Sequence, residues 1–174
     1  MKNLNSIRLA ILLAVCTLTA VVNSNIHANE GNPNVVVTPH CEVPCGIYAD
    51  QVRFQQMLED AATIEKSITS INEFVAGGAP SAKGINQTMR WVTTKEDHAT
   101  NTQHIVAQYF LTQRIKADNE KYVDQLKAAH AVMVAAMKCK QDADAKTAET
   151  LKNAIYDLYR AYEGKEPDFH THEK

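Results

Sequence analysis

The chain has 174 residues, 45% hydrophobic and 22% charged, a balance suited to one soluble globular domain and unlike that of a disordered or fibrous chain. Six glycines and five prolines are few for a sheet-rich, turn-rich protein. A formal net charge of −2 excludes the broad basic field that nucleic-acid binding needs, so any steering of a charged substrate must be local.

Lys2 and Arg8 flank the start of an uncharged run over residues 9–22 (LAILLAVCTLTAVV), which the polar Asn23-Ser24-Asn25 follows. This order reads as a signal peptide, with an apolar core too short for an ordinary membrane span and a cleavage point after Ala28. The competing reading is an uncleaved anchor. A lipoprotein signal fits less well, because Val15 stands where a small residue should precede Cys16. Residues 1–39 are therefore expected to be a leader lost on maturation. Export to the periplasm or another extracytoplasmic space is expected too, with no stable membrane span in the mature form; maturation in the cytoplasm stays open. Loss of Lys2, Arg8 and Glu30 leaves 16 basic against 19 acidic side chains, a net charge of −3. Three cysteines also remain, Cys41, Cys45 and Cys139, an odd number that suits a disulfide framework poorly.

Residues 29–39 (NEGNPNVVVTP) carry neither helical nor strand periodicity and read as a linker. Residues 40–48 follow, where Pro44 and Gly46 oppose a regular helix and favour a turn. Beyond them four helices are predicted. The first, about 50–75, places Phe54, Met57, Leu58, Ala61, Ile64, Ile68, Ile71 and Val75 at three- and four-residue steps, and Gly77-Gly78-Ala79-Pro80 stops it. The second starts after Gly84 and reaches towards Lys116, with Ile85, Met89, Val92, Ala99, Val106 and Phe110 along one side. Glu96 and Gln103 interrupt that stripe and suggest a buried polar network or a subunit contact. The third, about 119–139, runs through Tyr122, Leu126, Ala129, Met133 and Ala136. The last begins near Asp142 or Asp144, carries Ala148, Leu151, Ile155, Leu158 and Tyr162, and ends at Gly164 before Pro167. Short connections between four amphipathic helices predict an all-α protein, an antiparallel four-helix bundle over about 50–163 with a metal-binding hook at 40–48 and a polar tail at 164–174.

The segment His40-Cys41-Glu42-Val43-Pro44-Cys45-Gly46-Ile47-Tyr48 holds the chemistry. Two thiols and an imidazole within six residues offer sulfur and nitrogen donors suited to zinc, copper or nickel. Zinc motifs supply four ligands in two separated pairs, and no second Cys/His pair follows. The missing donors can come from the backbone. If proteolysis frees the amine of His40, that amine and the Cys41 amide nitrogen join the two thiolates in an N2S2 plane, the geometry nickel(II) or copper(II) prefers, with the His40 imidazole able to approach axially. A protease that cuts before His40 would then be a required partner.

HCEVPCGIY resembles the nickel hook of nickel-containing superoxide dismutases, H-C-x-x-P-C-G-x-Y, at all six fixed positions: His40, Cys41, Pro44, Cys45, Gly46 and Tyr48. The run Asn86-Gln87-Thr88-Met89-Arg90-Trp91-Val92, then Lys95-Glu96, His98-Ala99 and Gln108-Tyr109-Phe110, resembles the second helix of that family. The resemblance implies a four-helix subunit in a homohexamer and an oxidoreductase that converts superoxide to oxygen and hydrogen peroxide by Ni(II)/Ni(III) cycling. It also implies a nickel ion held by His40, Cys41 and Cys45, with Tyr48 as a catalytic residue near the open face. In the family a glutamate of the first helix holds the axial imidazole, steadied by an arginine of the second. By register Gln56 and His98 stand there, with Glu59 or Glu96 as substitutes.

Against these stand plainer readings. Tyr48 is otherwise a capping aromatic over the first turn. His98 and His104 read as solvated or hydrogen-bonded helix residues, and His130 as a core-edge histidine. His170 and His172 belong to a solvated tail able to catch metal, and Cys139 is a semi-buried thiol. Tyr109 and Phe110 read as core or subunit contacts. The competing function is an exported helical nickel- or copper-binding or delivery protein that uses the same hook without redox turnover. A purely structural bundle leaves the His-Cys-Cys segment without a purpose. No HExxH, P-loop, dinucleotide or haem-attachment motif competes.

Overall fold

The computed structural model describes residues 50–78 and 81–169. The chain divides into two units, Met1–Pro39 and His40–Lys174, and the described residues all lie in the second. His40, Cys41, Cys45 and Tyr48, the leader, and the tail histidines His170 and His172 lie outside them.

The described residues are helical and contain no strand. Helix α1 is Gln51–Ala76, α2 is Ala82–His104, α3 is Tyr122–Gln141 and α4 is Ala145–Glu163. A π-helical segment, Ile105–Arg114, continues α2. Each helix packs on the next in sequence, and α4 closes on α1. Cross-links between helices give the directions. Asp60 of α1 reaches His98 and Thr102 of α2, whereas Asp50 at the start of α1 reaches Arg114 beyond α2. Asn72 near the end of α1 bonds the Ala143 carbonyl just before α4, while Gln51 meets Tyr159 near the end of α4. Gln125 near the start of α3 reaches the Ala161 carbonyl. The numbers run in opposite senses in each pair. The helices therefore alternate in direction, the arrangement short connections favour.

The core follows the helical period. Phe54, Met57, Ile64 and Ile68 of α1 are wholly buried with Val132 and Ala136 of α3 and Leu151, Ile155 and Leu158 of α4. One end is aromatic: the Phe54 ring lies 4.8 Å from Phe110, 5.0 Å from Tyr159 and 5.9 Å from Tyr162. Such tilted and edge-on pairs add to the burial of apolar surface, the main stabilising contribution here.

Four sequence expectations shift. The second helix starts before Gly84, at Ala82, because the Ser81 side chain accepts from the Gly84 N–H at 3.1 Å and so caps it. Its inward stripe begins only at Ala99. Ile85 and Met89 are 51% and 61% exposed, as is Val75 opposite them at 69%, because this end of the α1–α2 pair extends past the other helices' apolar faces. His130 is exposed on α3, one position beyond the buried Ala129 stripe. Cys139 is a free, fully buried thiol, which burial pushes above its ordinary pKa. At the other boundaries Asp144 caps α4 through the Lys146 N–H, and Gly164 ends it at φ +71°.

Candidate functional site

Asp50 is the first described residue after the hook and the residue on which α1 starts. Its carbonyl accepts from the Arg53 N–H at 2.9 Å, which opens the helix. An aspartate here ordinarily turns its carboxylate back to cap the first turn. This one makes no such cap. Its carboxylate instead receives Tyr109 Oη on Oδ1, and Arg114 Nη2 at 2.7 Å and Tyr162 Oη at 2.6 Å on Oδ2. Three donors from two other parts of the bundle thus converge on one side chain.

The π-helical turn lets them converge. Ile105, Val106, Tyr109 and Phe110 are all buried, and the wider winding sends both aromatic neighbours inward. The Tyr109 hydroxyl then meets Asp50 while Phe110 packs on Phe54. The segment closes where the Ile115 N–H bonds the Phe110 carbonyl at 2.8 Å. Arg114, at its end, lies 5.9 Å from the Tyr109 ring centre, and Arg53 lies 5.4 Å from it on another approach. Arg114 Nε is buried and has no acceptor among the described residues.

The electrostatics fit this clasp. Burial on its own raises the Asp50 pKa, but the hydrogen bonds from Arg114, Tyr109 and Tyr162 outweigh it and hold the carboxyl below its ordinary value. Burial and the Asp50 carboxylate push the Tyr109 phenol up to about 12 and raise Tyr162 as well. Asp50 is thus the anion of the cluster, and both phenols keep their protons as donors.

A second polar cluster lies nearly three turns further along α1. Asp60, 4% exposed, holds His98 Nδ1 at 2.6 Å, Asn101 Nδ2 at 2.8 Å and Thr102 Oγ1 at 3.1 Å. His98 is therefore tied to Asp60, and Gln56 accepts from Arg53 Nη1 at 2.6 Å within its own helix. The two residues set side by side by register have separate partners. Glu96 pairs with Lys95 at 3.2 Å, and Glu59 is exposed. Gln103 fulfils the expected polar network: it donates to the Met133 carbonyl at 3.1 Å and accepts from Lys140 at 2.9 Å. His104 is exposed. Lys95, 3% exposed, donates to the Cys139 carbonyl and, at 2.9 Å, to that of Lys140. It caps the carbonyl end of α3 with a buried cation.

Sequence reasoning missed Asp50, Arg114 and Lys95. A polar residue at a helix start followed by buried aromatics 59 and 112 residues on leaves no local signal.

Among the described residues no group of three or more His, Cys, Asp or Glu side chains is placed to hold a metal ion. Nor is any of their helices long and apolar enough to cross a membrane. Cys41 and Cys45 stand in the segment that precedes Asp50 in the sequence and lie outside the described residues. The family model of nickel-containing superoxide dismutase matches residues 35–166, which takes in that segment and the four helices together. The chain belongs to the nickel-containing superoxide dismutase family. It is accordingly an oxidoreductase that uses nickel and acts on superoxide. No curated protein and no solved structure matches it.

Proposed function

We propose that this superoxide dismutase works through Ni(II)/Ni(III) cycling at its hook, with Cys41 and Cys45 as thiolate ligands and the freed amine and imidazole of His40 completing the set. The observation that carries the reading is the family match across residues 35–166, which spans the one segment where two cysteines and a histidine lie within six residues. The donor set fits the metal. Anionic sulfur would stabilise the higher oxidation state, and the His40 amine and Cys41 amide nitrogen would supply the remaining donors. Nickel when bound supplies the one-electron exchange by which two superoxide ions and two protons become oxygen and hydrogen peroxide.

The chain's own residues hold and orient. Pro44 and Gly46, on either side of Cys45, favour a turn there. Tyr48 stands near the open face and orders the incoming anion or water through its hydroxyl. The amine of His40 is available only after the bond to Pro39 is cut, so a maturation protease that cuts between Pro39 and His40 is an obligatory partner. The leader directs the chain out of the cytoplasm, and the mature domain, 40–174, assembles with copies of itself, as a hexamer by resemblance to the family.

The mature protein and its Cys41→Ser and Cys45→Ser variants, each loaded with nickel, test the ligand set. Dismutation and the sulfur-to-nickel absorption bands are expected only in the unaltered protein. A serine variant that keeps both overturns the assignment. A carrier without redox turnover is separated by its readily exchanged nickel and lack of superoxide consumption.

A further inference from the structure

We infer that Asp50, with Tyr109, Tyr162 and Arg114, forms a clasp that positions the metal hook on the bundle. These are positioning residues, acting through the segment they anchor, and the inference rests on the hook being the nickel site.

Chain connectivity sets the distance. Asp50 follows Cys45 by five residue steps, so even a fully extended segment puts that cysteine within about 18 Å of the clasp. Whatever fixes Asp50 fixes the point from which the hook departs. A short loop that carries metal ligands keeps its geometry only if its root is rigid, since small displacements of ligands are felt at the metal.

The clasp is stronger than a helix start requires. A helix N-terminus needs one side-chain acceptor for its own N–H groups, and Asp50 provides none. Its carboxylate is committed to residues at the ends of the second and fourth helical regions. Each bond is charge-assisted, and two phenols with an arginine resist displacement by water better than a lone lysine would. Behind them stand the Phe54, Phe110, Tyr159 and Tyr162 rings, which exclude solvent from one side. The adjacent Gln51 adds a 3.2 Å bond to Tyr159. Arg114 Nε remains as a buried donor without an acceptor among the described residues.

The alternative is that the cluster serves folding alone. Asp60 provides the matched control, since it too is a carboxylate with three donors, placed nearly three turns further along α1. The mature full-length domain beginning at His40 is loaded with nickel and compared as Asp50→Asn, Tyr162→Phe and Asp60→Asn. Nickel release to excess EDTA and the rhombic Ni(III) EPR signal are read beside the unfolding midpoint of the metal-free protein. Asp50→Asn is expected to release nickel at least about tenfold faster and to alter the EPR anisotropy. Tyr162→Phe should move both in the same direction by less. Asp60→Asn should lower the midpoint and leave release and spectrum unchanged. If Asp50→Asn and Tyr162→Phe both match the unaltered protein in release rate and spectrum, the clasp does not position the hook. If the spectrum follows the unfolding midpoint across all three variants, the clasp is structural only. A failure of the underlying reading shows elsewhere: the unaltered protein would then give no Ni(III) signal at all.

Discussion

The hydroxyl of Tyr162, near the end of the last helix, donates to Asp50 Oδ2 at 2.6 Å, across 112 residues of sequence. The bond joins the start of the bundle to its finish, and Tyr109 and Arg114 add the end of the second helical region to the same carboxylate. Removal of that carboxylate leaves the buried Tyr109 phenol, the half-buried Tyr162 phenol and a guanidinium without their acceptor. Asp50→Ala should therefore destabilise the domain by about 2–4 kcal/mol, since unsatisfied buried donors cost more than the bond itself contributes. Denaturant unfolding of the metal-free protein checks this; a loss below about 0.5 kcal/mol would contradict the clasp.

The same cluster sets two pH limits. The folded Asp50 carboxyl lies below its unfolded value, so its contribution is present above about pH 4, where the unfolded carboxyl ionises, and is lost as pH falls through the lower folded value. The phenols behave in the opposite sense. Tyr109, raised to about 12, contributes fully below the ordinary phenol value near 10, and that contribution is lost as pH rises through the folded one. Stability against pH should show both losses. Asp50→Asn should flatten the acid limb and bring tyrosinate absorbance, followed at 295 nm, to lower pH.

Asp60 holds three α2 side chains from a site only 4% exposed. Asp60→Ala should cost about 3 kcal/mol or more, because His98, Asn101 and Thr102 lose one shared acceptor together. In a double-mutant cycle, Asp60→Ala with Thr102→Val should recover part of that loss, as the lone hydroxyl then disappears too. Strict additivity would show that the bond contributes little.

Lys95 is the buried cation that caps α3. Lys95→Met preserves the stem and removes the ammonium, so the Cys139 and Lys140 carbonyls lose their donor. A destabilisation of about 2 kcal/mol is expected, with faster amide exchange in the last turn of α3. Unchanged exchange there would place the role of Lys95 elsewhere.

Gly164 ends α4 in the left-handed region, and its N–H bonds the Arg160 carbonyl at 2.9 Å. An added Cβ would also come within 2.9 Å of Lys121 Nζ, the free end of a flexible side chain. Gly164→Ala should cost about 1 kcal/mol, chiefly from the backbone angle, and Lys121→Ala should restore little of it. Full rescue would locate the strain in the side-chain contact.

Much of the bundle was legible because period and punctuation agree. Phe54, Met57, Ala61, Ile64 and Ile68 recur on a helical step, Asp144 marks a helix start and Gly164 an end, whereas the Ser81 cap was missed and the second helix was expected only after Gly84. Local signals of this kind depend on residues within a turn or two of each other. The π-helical turn was not legible, because Val106 and Phe110 satisfy an α-helical stripe as well, and only the Asp50 contact of Tyr109 distinguishes the two. Ile85 and Met89 misled for the same reason: their spacing is right for a buried face, but both stay exposed at the end where α2 meets only the end of α1. Nothing local in the sequence marks Lys95 and Asp60 as buried; the tertiary fold supplies their partners. The metal donors were legible in a different way, from the chemistry of His40, Cys41 and Cys45, independently of any helix.

The central claim is tested most directly by the N-terminus of the mature chain. The domain is prepared beginning at His40 and again with one extra residue before it, both loaded with nickel and assayed for superoxide consumption and Ni(III) EPR. Activity and a rhombic signal only in the form with a free His40 amine are the predicted result. Equal nickel binding by both forms, with no superoxide consumed by either, would contradict it and favour a metal carrier.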